Sequence, residues 1–312
     1  MTFKTILVGL GKIGYEYDTN ISDNSRVLSH YKALMINPNL DIVGIVENSF
    51  DKIQRVFGEI ITPIYSNFNQ LKAMKSIDLI VIATPPETHL EIIKLALKLN
   101  PRVILLEKPV AHNLDSALQI LNLINKTEVK VFVNYQRNYN SVLRNLASDI
   151  ASGLVGGPFV FTSWFTNSWA NSCSHLLALY LDLFSENFNN IESISTISDQ
   201  LVWRSQTCSA QFINLQNFTG TFFGFELICK DRVIRYDSHL NSLKIQQLSN
   251  SEFYFNELVL NEAKQNLKVV EEKLLSEVYV QIENFLNGKE YFLFSLEKGV
   301  SIVKLLSENL RI

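Results

Sequence analysis

The stretch TILVGLGKIG, residues 5–14, restricts the fold more than any other. A β-branched apolar run passes directly into Gly9, Gly11 and Gly14, spaced G-x-G-x-x-G. After a strand and before a helix, that spacing is the fingerprint of a dinucleotide-binding βαβ unit. Gly9 allows the tight turn, Gly11 lets backbone approach a pyrophosphate, and Gly14 lets the helix pack close to the sheet. The helix N-terminus would then offer N–H groups to the phosphates. Lys12 and Ile13 lie inside the loop and are counted with the cofactor contacts. Lys12 reads equally well as an exposed lysine.

The residues that follow repeat the same unit. DIVGIVE (41–47), SIDLIVIAT (76–84), RVILLE (102–107) and KVFVNY (130–135) are near-continuous apolar runs. Helical patterns separate them at HYKALMIN (30–37), THLEIIKLALKLN (88–100) and NLDSALQILNLINK (113–126), the last capped by Asn113 or Asp115. Unbroken apolar strands alternating with helices predict a parallel sheet covered on both faces. Beyond a helical stretch at about 141–153 the pattern changes to PFVFTSWFT, ESISTIS, CSAQFINLQ, TGTFFGFELICK, RVIRYD and SLKIQQL. These predict a mostly antiparallel, open-faced sheet, followed by helices at about 262–286 and 296–310. The expectation is α/β, with a doubly wound Rossmann domain at 1–135 and an α+β domain at 136–312.

Glu47 ends the second strand, where a carboxylate accepts from the adenosine ribose hydroxyls and repels a 2′-phosphate. That favours NAD over NADP. The gap from Gly14 exceeds the usual spacing of about 20 residues. The excess is the polar run 15–29, read as an insertion that is either a surface loop or a flap over the cofactor.

Composition narrows the partners. The 312 residues are 47% hydrophobic and 19% charged, with a formal net charge of −3. No basic surface for nucleic acid is expected. No apolar run reaches the length of about 20 residues that a membrane span needs. Cys173, Cys208 and Cys229 are odd in number and lack metal-type spacing, so neither a disulfide framework nor a metal site is expected. The N-terminus lacks the pattern of a signal peptide, and a cytoplasmic location is expected.

Several motifs in this order resemble the glucose–fructose oxidoreductase / inositol dehydrogenase / rhizopine catabolism family (Gfo/Idh/MocA). They are GLGKIG, ATPPETH (83–89), EKPVAHNLDSA (107–117) and SLEKGVSIVKLLSEN (295–309). The resemblance implies hydride transfer at a secondary alcohol or ketone carbon of a sugar or sugar derivative, a sugar nucleotide among them. It implies a substrate lying between the Rossmann domain and the second domain, whose open sheet forms a homo-oligomer, dimer or tetramer. Thr84, Pro85, Pro86, His89 and Glu107 are implied cofactor contacts. Lys108 is the implied catalytic group beside the reacting carbon, as proton shuttle or oxygen polariser. His175 assists it in the family pattern D-x-x-x-H, but the acid position here is Asn171, which can orient a histidine yet brings no charge. Ala178 stands where a further family acid would be. Tyr135, Arg137, Asn171, His175 and Lys108 are the substrate-binding set, and Arg137 suits an anionic group. Trp164 and Trp169 are read as packing residues. His30, His112 and His239 are read as structural. Asn171 leaves two other readings open: an enzyme that uses bound NAD only transiently, glycosidase- or epimerase-like, or a non-catalytic NAD(H)-binding protein.

Overall fold

The computed structural model describes residues 2–19, 25–157, 159–185, 188–261 and 265–310. Residues 20–24 of the polar insertion lie outside the described residues, as do 262–264, where the penultimate helix was expected to start.

Six strands make the first sheet: β1 (Phe3–Val8), β2 (Leu40–Val46), β3 (Ile64–Tyr65), β4 (Leu79–Ile82), β5 (Val103–Leu106) and β6 (Lys130–Val133). Every pairing is parallel and the order is β3-β2-β1-β4-β5-β6. This is the doubly wound order of a dinucleotide-binding sheet, with its reversal between β1 and β4. All residues of β4 and β5 are buried, as strands covered on both faces must be. The helices joining these strands are α1 (His30–Met35), α2 (Phe50–Arg55), α3 (His89–Ala96) and α4 (Leu114–Ile124). Asn113 caps α4, its side chain accepting from Ser116 N–H at 2.8 Å.

The insertion at 15–29 is looped out of a helix. The N–H groups of His30 and Tyr31 donate to the carbonyls of Ile13 and Gly14, both at 2.9 Å. The turn after the glycine loop thus serves as the preceding turn of α1, and the chain leaves and rejoins between them. Asp18 ties the base of the excursion, its Oδ2 accepting from Leu28 N–H, Ser29 N–H and Ser29 Oγ at 2.6–2.9 Å. Removing 15–29 would bring Gly14 and Glu47 back to the customary spacing of about 20 residues.

The second sheet follows α5 (Ser141–Ala151). It comprises β7 (Phe159–Phe165), β8 (Ile191–Ile197), β9 (Gln200–Ser205), β10 (Cys208–Asn214), β11 (Phe223–Ile228), β12 (Arg232–Asp237), β13 (Ser242–Asn250), β14 (Leu258–Leu260) and β15 (Gln265–Lys268). The order is β14-β13-β12-β11-β7-β10-β9-β8, with β15 also on β13. All pairs are antiparallel except β7 with β10. The helix α6 (Ser174–Leu183) is buried along almost its whole length. Its Tyr180 meets Phe161, Trp203 and Phe212 edge-on across the inner face of this sheet.

The helix expected at 262–286 is shorter. Gln265–Lys268 is strand β15, paired with Ser242–Ile245 of β13, and the helix α7 spans Leu274–Leu286. α7 also joins the first unit rather than the second. The chain divides into 1–139 with 272–303, and 140–271 with 304–312, where a single cut after residue 135 was expected. Leu275, Val278, Tyr279 and Ile282 of α7 share a core with Leu7, Leu34, Val81 and Leu105. An apolar helical stripe folds onto whichever apolar surface lacks cover, and chain distance does not restrict it. The last helix, α8 (Leu296–Leu310), starts in the same unit. A Cβ on its Gly299 would lie 2.7 Å from Val110 Cγ2, so only glycine permits that approach.

Candidate active site

Sheet register assembles the site in the first unit. The ladder carries on past the strand ends: Gly9 N–H donates to Val46, Ala83 to Val8, Glu107 to Ile82 and Asn134 to Leu106, all at 2.8–3.0 Å. Glu47, the glycine loop, the 83–86 turn, Glu107 with Lys108, and Asn134 with Tyr135 therefore follow one another along a single carboxyl edge. In an open α/β sheet, ligands bind beyond that edge, at the reversal of strand order.

Two glycines in the loop are obligatory. Gly9 has φ +97°, and a Cβ there would lie 2.7 Å from the Ala83 carbonyl oxygen. A Cβ on Gly14 would overlap the Gly9 carbonyl, so Gly14 closes the loop on itself, where helix–sheet packing was expected. Over Gly11 the one neighbour among the described residues is Lys52 Nζ, 3.8 Å from an added Cβ, which leaves a cradle of backbone. The first N–H groups of α1 do not face that cradle, because Ile13 and Gly14 accept from them. The donors at hand for an anion are those of the Gly11–Gly14 turn itself. Lys12 is exposed and Ile13 half-buried.

Glu47 is buried and braces the loop. Its Oε2 accepts from Leu10 N–H at 2.8 Å and its Oε1 from Ser49 N–H at 2.9 Å. Lys52 Nζ stands 3.6 Å from Oε2. Each oxygen keeps a lone pair for a further donor such as a ribose hydroxyl.

Thr84 is half-buried, Pro85 exposed, and Pro86 opens a short 3₁₀ turn that leads into α3. His89, expected among the cofactor contacts, is fully buried and faces protein through both ring nitrogens. Nδ1 lies 3.0 Å from the Val110 carbonyl and Nε2 2.9 Å from the Thr84 carbonyl. Both partners are acceptors, so the imidazolium would satisfy both, yet burial outweighs them and lowers the pKa. His89 staples the turn after β4 to the turn after β5 rather than reaching a ligand.

Glu107 is buried at the end of β5, and the Lys108–Pro109 peptide bond is cis. Burial raises the Glu107 pKa. Hydrogen bonds from His30 and Asn134, with the charges of His30 and Lys108, outweigh burial and hold it below the ordinary carboxylate range. His30 Nε2 is 2.9 Å and Asn134 Nδ2 2.5 Å from Glu107 Oε1. On its other side His30 Nδ1 is 2.7 Å from the Tyr279 hydroxyl. His30 is thus buried between Tyr279 and Glu107. His112 and His239 are exposed. The Lys108 amine is pushed below its ordinary pKa, first by burial and further by Arg137, against the opposing pull of Glu107. Arg137 is half-buried; Tyr135 is fully buried, its ring 4.8 Å from that of Phe294.

Asn171 and His175 belong to the second unit. Trp169–Cys173 forms a π-helical turn, capped by Ser168, and α6 begins at Ser174. The four-residue spacing from Asn171 to His175 therefore crosses a change of helical pitch. Asn171 is exposed, whereas His175 is buried, edge-on to Phe223. Such π-helical turns are frequent at functional sites. Trp169 packs on Phe165 at 4.9 Å, as its reading as a packing residue requires.

Sequence reasoning missed His30, Asn134, Tyr279 and Lys52. Lys52 lies five residues after Glu47 on the next helix and could have been suspected. Tyr279 stands 249 residues from His30, beyond any local pattern.

Residues 3–135 match the family model described as the oxidoreductase family, NAD-binding Rossmann fold (GFO_IDH_MocA). Inositol 2-dehydrogenase from Rubrobacter xylanophilus is 31% identical over 93 residues, 30% of this chain and 26% of that protein. The chain matches less than half the length of the curated relatives found. Solved structures agree with the fold from end to end. UDP-N-acetylglucosamine 3-dehydrogenase from Acidithiobacillus ferrooxidans superposes with a TM-score of 0.75 at 13% identity, covering 99% of this chain and 97% of that one. The WlbA dehydrogenase from Bordetella pertussis, solved with NADH and UDP-GlcNAcA, gives 0.71 at 16% identity, covering 100% and 96%. Residues 3–135 thus resemble the Gfo/Idh/MocA oxidoreductases with their NAD-binding Rossmann fold, and the solved structures share the fold of the chain.

Proposed function

We propose that the protein is a nicotinamide-dependent oxidoreductase that moves a hydride to or from a secondary alcohol or ketone carbon of a sugar or sugar derivative. The observation that carries this reading is the juxtaposition on one sheet edge of an open glycine cradle, the Glu47 carboxylate and a lysine whose pKa burial lowers. The cradle over Gly11 fits a pyrophosphate, since a side chain at Gly11 would occupy that open space. The Gly9–Gly14 backbone, with Lys12 and Ile13, would hold the phosphates, Glu47 the adenosine ribose, and Thr84, Pro85, Pro86 and Glu107 the nicotinamide side. NAD supplies the hydride acceptor or donor when bound. Lys108 takes or returns the hydroxyl proton, which a lysine of lowered pKa does at an accessible pH. Arg137 receives an anionic part of the substrate, and Asn171 and His175 are further substrate contacts in this reading. A nucleotide-linked sugar is the first class to try, because the WlbA neighbour was solved with UDP-GlcNAcA.

The experiment is binding followed by turnover. Purified protein should quench and shift NADH fluorescence. A panel of polyols and UDP-sugars should then give a net change in reduced-nicotinamide absorbance with at least one member. NADH binding without net change across a broad panel, but with substrate epimerised or cleaved, would favour transient use of NAD. Absence of NADH binding overturns the proposal.

NAD is preferred over NADP in this reading, since a 2′-phosphate would meet the Glu47 carboxylate. Glu47→Ser is expected to raise NADPH affinity relative to NADH by about tenfold or more, measured by fluorescence titration. An unchanged ratio would remove Glu47 as the discriminating residue.

Oligomerisation through the second sheet belongs to the same proposal. Pairing register puts Val160, Trp164, Val202, Ile213 and Ile228 on the face opposite Phe161, Trp203, Phe212 and Phe225. Val160 and Ile228 are exposed and the other three half-buried, an apolar strip suited to a second copy. Light scattering on the eluted protein should give a dimer or tetramer mass; a monomer at micromolar concentration would count against it. No described helix is long and apolar enough to cross a membrane. The three cysteines, all buried and free, fit a reducing cytoplasm.

A further inference from the structure

We propose that His30, held by Tyr279, is a positioning residue for Lys108: it clamps the Glu107 carboxylate so that its charge stays beside the lysine. The inference rests on the reading of Lys108 as the proton-handling group, and it adds residues from the start of α1 and from α7 to that machinery.

The chemistry of the carboxylate fixes the direction of the hydrogen bonds it receives. Glu107 Oε1 can only accept, so both His30 Nε2 and Asn134 Nδ2 donate to it. A proton on Nε2 serves Glu107, and Nδ1 meets the Tyr279 hydroxyl, which can donate or accept there. Tyr279, His30 and Glu107 thus form a hydrogen-bonded chain ending on a carboxylate. His30 is fully buried and Tyr279 is fully buried, so water cannot replace either bond. A carboxylate gripped by two donors at one oxygen cannot turn away from the turn that carries Lys108. The groups whose charge or titration bears on this cluster are Glu107 and Arg137 at Lys108, and His30, Tyr279, His89 and Lys108 at Glu107. Glu107 raises the lysine's proton affinity and Arg137 lowers it, so the clamp sets the balance between them.

The test reads Lys108 directly and needs no substrate. Acetic anhydride acylates only neutral amines, so the labelling rate of the Lys108 peptide against pH, followed by mass spectrometry, reports the lysine's titration. Glu107→Gln should move the midpoint to lower pH by about one unit, the size expected for loss of one nearby opposite charge. His30→Asn, which cannot reach Glu107, should shift it in the same direction. His30→Gln, whose amide can still donate from the Nε2 position, should restore the midpoint. In the Glu107→Gln background, His30→Asn should add nothing. A structural role would lower stability in all of these variants and leave the midpoint where it was. An unmoved midpoint in folded His30→Asn, or a shift that survives Glu107→Gln, overturns the proposal. Should His30→Asn not fold, Tyr279→Phe decides: a shift toward lower pH supports the clamp and an unmoved midpoint refutes it. These outcomes are separable from the proposed function, which stands or falls on NADH binding and turnover of the wild-type enzyme.

Discussion

Lys108→Met is expected to lower turnover by about 10²–10⁴-fold, the range for removing a general acid–base, while NADH binding stays within a few-fold of wild type. Methionine keeps the length and apolar stem of the side chain but can neither accept nor donate the proton. The pH dependence carries the sign. In alcohol oxidation the active form is the neutral amine. Burial and Arg137 lower the Lys108 pKa below that of an ordinary lysine, so the neutral fraction grows as pH rises through a midpoint below about 10.4. The wild-type rate should therefore climb with pH along a limb centred below about 10.4. That limb should vanish in Lys108→Met. Stopped-flow single turnovers with the first substrate found separate this from product release. A Lys108→Met enzyme that retains wild-type turnover would show that another group carries the proton.

Phe161→Ala should destabilise the second unit by about 3–5 kcal/mol, the range for truncating a fully buried phenylalanine. Phe161 lies on the inner face of β7 with no exposed surface. Its ring stacks on Phe225 at 5.1 Å and also contacts Tyr180, Phe184 and Phe212. A large aromatic with neighbours from two other strands and from α6 and its C-terminal end leaves a cavity that the sheet cannot close without breaking its ladder. Urea unfolding followed by Trp fluorescence measures this, since Trp203 stacks on Phe212 in the same cluster at 4.6 Å. The neighbouring outward residue Val160 gives the contrast: Val160→Thr should change monomer stability little. Equal losses at the two positions would mean that the aromatic cluster is not the core of this unit.

The site was legible wherever its residues belong to one strand and the turn after it. GLGKIG, Glu47, TPP and EKP each follow an apolar run, and a parallel sheet brings the carboxyl ends of all such runs to one edge. Asn113 could likewise be read as a cap from its position alone. Legibility ended where a side chain's role depends on a distant partner. His89 looks like a ligand contact in ATPPETH, yet the carbonyls of Thr84 and Val110 surround its ring. His30 looked structural because nothing near it in sequence is a carboxylate. The 265–268 strand and the late start of α7 were hidden because QNLK has no strand signature; its pairing with β13 makes it one. The π-helical turn at Trp169–Cys173 has no periodicity in the sequence that would announce it.

By itself, then, the sequence determined the doubly wound sheet, the glycine loop and the placing of Glu47 and Lys108 just past strand ends. Those follow from local chemistry: apolar runs of strand length, glycines where backbone must pass close, and polar residues just past each strand. The tertiary structure alone decided that α7 folds back onto the first unit, that the 15–29 excursion is spliced out of α1, and that Tyr279 and His30 close on Glu107. These depend on which buried surfaces lack cover and which buried donors lack acceptors. Both are properties of the assembled core, satisfied by residues up to 249 positions apart.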